Sequence, residues 1–131
     1  MTLYYKIKDI QYNLKRKYQR AKRGYSYGDV WDMDTWFVDT IKPMLIHLRK
    51  HGCSYPMEFK DRDEWCDVLD EMVCCLEFMN EDNAECFLGF GDPDSYDHMK
   101  LEDYKQIRDI MMENKNRFFE LFSKYFYDMW D

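Results

Sequence analysis

Residues 101–130 contain no glycine or proline, and Tyr104, Ile107, Met111, Phe118, Leu121, Phe122, Tyr125 and Met129 keep a helical period through them. Only an α-helix gathers residues at that spacing onto one side, so the segment reads as a helix of about eight turns, roughly 45 Å at 1.5 Å per residue. Such a helix has to be covered by something. No β-hairpin signal and no internal repeat occurs elsewhere, so the cover is expected to be other helices.

Three more can be traced. Residues 3 to about 22 place Leu3, Ile7, Ile10, Leu14 and Ala21 on one stripe with Tyr18 close to it, and Gly24 is a natural stop. Ser26-Tyr27-Gly28-Asp29 is an S-x-x-D start, in which a side-chain oxygen meets an orphan amide and an acid sits in the first turn. The second helix it opens runs to about His51, with Trp31, Trp36, Phe37, Ile41, Met44, Leu45 and Leu48 apolar and Gly52 as terminator. Pro43 lies inside it and is expected to bend or split it near Thr40. Residues 53–61 are a connection, after which Asp61 or Asp63 can cap a third helix. Trp65, Val68, Leu69, Met72, Leu76 and Met79 form its stripe, with Glu64, Asp67, Asp70 and Glu71 largely opposite. Residues 80–98 read as an acidic loop, punctuated by Gly89, Gly91 and Pro93 around Cys86-Phe87-Leu88. The expected architecture is all-α: one domain over residues 1–131, an irregular four-helix bundle with a long C-terminal helix and an acidic loop before it.

Charge divides this chain unequally. Residues 1–24 hold eight basic side chains against Asp9, a net of +7, whereas the remaining residues hold 11 basic and 25 acidic groups, a net of −14. The basic N-terminal helix and the acidic body over residues 25–131 are therefore two different electrostatic surfaces. No run approaches the ~20 apolar residues of a membrane span, and no apolar signal core precedes a small-residue cleavage site. The expectation is a cytosolic chain with no membrane partner. Its five cysteines include the adjacent pair Cys74-Cys75, a poor disulfide framework, and read as small buried hydrophobes.

Chemistry-bearing patterns are weak. His47 and His51 share a helix face with Cys53 two residues on, and with Cys66 they suggest zinc, but Arg49 and Lys50 stand between them and no C-x-x-C accompanies them. Glu64, Asp67, Asp70 and Glu71 suggest a magnesium-dependent nucleotide hydrolase if Asp29, Asp32, Asp34 and Asp39 faced them, yet those lack an E-E-x-x-E spacing. No phosphate loop, dinucleotide fingerprint or nucleophile elbow occurs. The chain is read as a non-enzyme, with no catalytic residue, metal or cofactor. Lys15, Arg16, Arg20, Arg23, Tyr25 and Trp31 form a cationic, aromatic cluster able to grip phosphates and stack a base, which suits a nucleotide-signal sponge. The carboxylates Glu64, Asp67, Asp70 and Glu71 instead suit an acidic, nucleic-acid-mimicking surface. Aromatics make up 18% of the chain, more than one small core needs, so some rings should mark contact sites. Phe118, Phe119, Phe122, Phe126 and Trp130 crowd more than one face of the last helix and suggest a homodimer.

Three blocks carry a resemblance: Arg23-Gly24-Tyr25-Ser26-Tyr27-Gly28-Asp29-Val30-Trp31, Glu64-Trp65-Cys66-Asp67-Val68-Leu69, and Leu121-Phe122-Ser123-Lys124-Tyr125-Phe126-Tyr127-Asp128-Met129-Trp130-Asp131. In this order they resemble a group of small proteins encoded by tailed phages and prophages. The resemblance implies a viral origin and a bacterial host's cytoplasm as place of action, and no catalytic residue. Combined with the acidic body, it suggests an anti-defence accessory protein that binds, and inhibits, a host protein complex.

Overall fold

The computed structural model describes residues 2–130; Met1, and the Asp131 that closes the terminal sequence block, lie outside the described residues. All regular structure among the described residues is helical, so the chain is all-α. The elements are α1 (Leu3–Arg23), α2 (Tyr27–Val30), α3 (Met33–His51), α4 (Arg62–Phe78), α5 (Glu81–Phe87) and α6 (Leu101–Lys124), with 3-10 turns at Pro93–His98 and Phe126–Asp128. Among the described residues six α-helices thus stand where four were expected. Contacts cluster into two compact units, residues 1–40 and 41–131.

In the first unit α1 stops where the sequence says it should. Gly24 takes the left-handed conformation at φ 85°, which lacks a Cβ penalty only for glycine, and its N–H donates to the Arg20 carbonyl at 2.8 Å. Asp29 Oδ2 accepts the Ser26 N–H at 2.7 Å, the reciprocal half of a capping box, so the S-x-x-D start is realised. The helix it opens is only four residues long. At Asp32 the chain restarts: the Thr35 hydroxyl donates to Asp32 Oδ1 at 3.0 Å and the Trp36 N–H to the Asp32 carbonyl at 3.1 Å. The break therefore falls at Trp31-Asp32, not near Thr40, and α3 runs through Pro43. A single missing amide is tolerable inside a helix of nineteen residues.

In the second unit Asp61 caps α4 by accepting the Glu64 N–H at 3.0 Å. Trp65, Leu69, Met72 and Leu76, one turn apart, are fully buried, as is Phe118 of α6, and Ile107 and Leu121 join them. Each such side chain contributes about 1.5–3 kcal/mol by leaving water. The rings of Phe59, Trp65 and Tyr125 close one end of this core, with centroids 5.3–5.6 Å apart. Helix α6 ends at Lys124 with Tyr125 as its buried C-cap, and a 3-10 turn at Phe126–Asp128 follows in place of the expected continuation to Trp130. Residues 80–98 are not an open loop either. Asn80 caps α5 through the amides of Asp82 and Asn83, Ala84 is fully buried, and α5 packs on both α4 and α6. Gly52 ends α3 with its N–H on the Leu48 carbonyl, and a Cβ there would stand 2.6 Å from that oxygen. The Arg62 guanidinium donates to the neighbouring Arg49 carbonyl at 2.9 Å, satisfying another orphan acceptor.

Candidate functional site

The cationic cluster of the first unit turns inward. Arg20 makes a two-pronged pair with Asp29, Nε to Oδ2 at 2.9 Å and Nη2 to Oδ1 at 2.6 Å, and Arg16 Nη2 reaches Oδ1 at 3.3 Å. Asp29 is 5% exposed, and the Arg20 hydrogen bonds, with that from the Ser26 amide, hold its pKa well below the usual carboxylate range. The same pairing raises Arg20. Gln19 accepts the Tyr27 N–H at 2.9 Å, and the Trp36 indole donates to the Gly24 carbonyl at 3.1 Å. Arg23 lies over the rings of Tyr25 and Tyr27, 4.6 and 4.4 Å from their centroids. A phosphate grip thus loses Arg16 and Arg20 to an internal anion; Lys15 stays exposed, and so does Trp31, at 89%. A shallow hollow of about 310 Å³ beside the clasp is lined by Tyr25, Asp29, Val30, Met33 and Trp36, and its one charge is negative.

The acidic row on α4 is likewise engaged. Asp70 holds Arg49 at 3.0 and 3.3 Å, Glu71 holds Arg117 at 2.6 and 3.2 Å, and Glu64 accepts the Lys60 N–H at 2.8 Å. These pairs raise the pKa of Arg49 and of Arg117. Asp67 is exposed and adds to the negative field at Arg49. The row therefore ties α3 and α6 to α4, and its outward charge is partly cancelled. Among the described residues no group of three His, Cys, Asp or Glu side chains could hold a metal ion. His47 and His51 meet at a tilt of 44°, ring centroids 4.6 Å apart, in the last turns of α3.

The terminal aromatics separate into core and surface. Phe118 is fully buried and leaves the suggested self-association face; Phe122 is half-buried, while Phe119, Phe126 and Trp130 are exposed. Phe122 stacks on Phe118 at 5.2 Å and meets Phe126 edge-on at 5.5 Å. Phe122, Phe126 and Met129 form one wall of an apolar groove of about 390 Å³, whose other wall is Ile41, Met44, Leu45, His47 and Leu48 of α3. The α3 wall went unread in the sequence, where Met44 and Leu48 look like ordinary core positions; Met44 is in fact 62% exposed. No known protein family, curated protein or solved structure matches the chain.

Proposed function

We propose that this chain is a non-catalytic accessory protein, phage-encoded and acting in the cytoplasm of a bacterial host, that binds and inhibits a host protein complex through the apolar groove of its second unit. The groove carries the reading. It joins an apolar floor to exposed rings and a flexible thioether, the composition of the desolvated centre of a protein interface. The acidic row on α4 supports binding less well than its charge count suggests, because Asp70 and Glu71 already hold arginines. A nucleotide sponge is less well supported for the matching reason, since Arg16 and Arg20 hold Asp29.

The test is photocrosslinking in host cells, with benzoylphenylalanine at position 126 in one strain and at position 67 in another. The proposal expects a discrete adduct with a host protein from position 126 and little from position 67. Adducts from position 67 alone would overturn it in favour of the acidic face. An adduct of twice 16.3 kDa from position 126 would instead identify a second copy as the occupant, as the homodimer reading requires.

A further inference from the structure

The first unit has a second surface, independent of the groove. None of the 21 residues of α1 is buried. Projected at 100° per residue, Leu3, Ile7, Ile10, Leu14, Tyr18 and Ala21 fall in an arc of about 80°. Those side chains are exposed to solvent, Leu3 by 74% and Leu14 by 60%. Lys6 and Lys17 border one edge of the arc; Lys8, Lys15 and Lys22 follow the other, and all five are exposed. Arg16, Arg20 and Arg23 project from the far side, where they meet Asp29, Tyr25 and Tyr27. Sequence order mixes lysine and arginine, but the fold sorts them: the arginines turn to Asp29 and the Tyr25 and Tyr27 rings, while the lysines flank an apolar strip.

We infer that α1 lies on an anionic lipid surface, its apolar strip sunk among the acyl chains and its lysines among the headgroups. A helix with one narrow apolar face, flanking lysines and low overall hydrophobicity is built for that boundary. Long lysine stems reach from the strip to the headgroups, and Tyr18, with Lys22 above its ring at 6.0 Å, suits the same depth. Charge selects this occupant over the others. Two α1 strips facing each other would bring two +7 segments together. Nucleic acid would be held by the cations and would leave the strip in water, and the forked arginines best fitted to phosphate are turned away. The missing membrane span bears on crossing a bilayer and not on lying along one; no helix among the described residues is long and apolar enough to cross.

The test is sedimentation of the full chain with vesicles, either of phosphatidylcholine alone or of equal parts phosphatidylcholine and phosphatidylglycerol. Binding is expected to the mixed vesicles only, to weaken with salt, and to vanish in the double variant Ile10→Asp/Leu14→Asp with circular dichroism unchanged. If that variant loses helicity, Lys6→Gln and Lys17→Gln decide, each weakening binding about fivefold. Failure to sediment with mixed vesicles at low salt overturns the inference. So does tighter binding to duplex DNA that survives Ile10→Asp/Leu14→Asp, or a dimer in light scattering that the same variant abolishes. Crosslinking from position 126 is read on a different surface and stands or falls separately.

Discussion

Residues 1–40 and 41–131 are both helical, yet what is buried in each differs in kind. In the second unit the buried side chains are Trp65, Leu69, Met72, Leu76, Phe118 and their neighbours; in the first, among the described residues, they are Ser26 and Asp29. One unit is held by apolar burial, the other by a carboxylate enclosed by two arginines and a backbone amide. Apolar burial is indifferent to pH and hides the surface that creates it. A charge clasp responds to pH, and it leaves the apolar face of its helix in solvent. Within the first unit, the apolar strip of α1 faces away from the clasp.

The largest effect should come from the packed unit. Leu69→Ala removes atoms from a fully buried site between α4 and α6, and should lower unfolding stability by about 2–5 kcal/mol in urea titrations. An effect below about 1 kcal/mol would mean that the second unit is not held by its core. Acid should act on the other unit. Asp29 has its pKa depressed, chiefly by the hydrogen bonds from Arg20, so the clasp is fully stabilising above its unfolded value near 3.9 and is lost as pH falls through the lower folded value. Below about pH 4 the Ser26 and Tyr27 amide resonances should lose their folded shifts before those of Leu69 and Met72 do. The reverse order would break the contrast.

Much of this was legible. Gly24 and Gly52 mark helix ends, Asp61 marks a start, and the spacing from Trp65 to Leu76 gives the core face of α4. Ser26-x-x-Asp29 was readable as a cap because both partners lie within one turn. What the sequence could not show is that Asp29 also closes on Arg20 and Arg16, nine and thirteen residues back. Charge along a chain does not say which charges will meet, so a clasp looked like a phosphate grip and a row of tied carboxylates like a free acidic face. The end of α6 was not legible either. Residues 125–130 keep the helical period in sequence, yet the α-helix stops at Lys124 and the chain goes on as a 3-10 turn, with Tyr125 packed on Trp65 and Phe59. The groove was half visible, in its aromatic wall.

Smaller substitutions sharpen the same contrast. Gly24→Ala has open space around its new Cβ but must hold a φ of 85°, so its cost, about 1 kcal/mol, is backbone strain confined to the end of α1. Amide exchange in the last turn of α1 should speed up while α4 stays protected. Glu71→Gln should do least. It removes the charge opposite Arg117, but both side chains are about two-fifths exposed and solvent already screens them. Its urea midpoint should lie close to the parent's, and a large drop would mean that charge also matters to the packed unit.

The central claim is that one carboxylate holds the first unit while a hydrophobic core holds the second. The direct measurement is residue-resolved hydrogen exchange of the full chain at neutral pH, comparing the parent with Asp29→Asn. Without its clasp, α1 keeps only peripheral contacts such as Gln19 with Tyr27 and Arg23 with Tyr25, and helices draw most of their stability from tertiary contacts. The account predicts that protection falls across α1 and α2 and is unchanged at Leu69, Met72 and Leu76. Protection in α1 that survives the substitution, or that falls equally in both units, would contradict it.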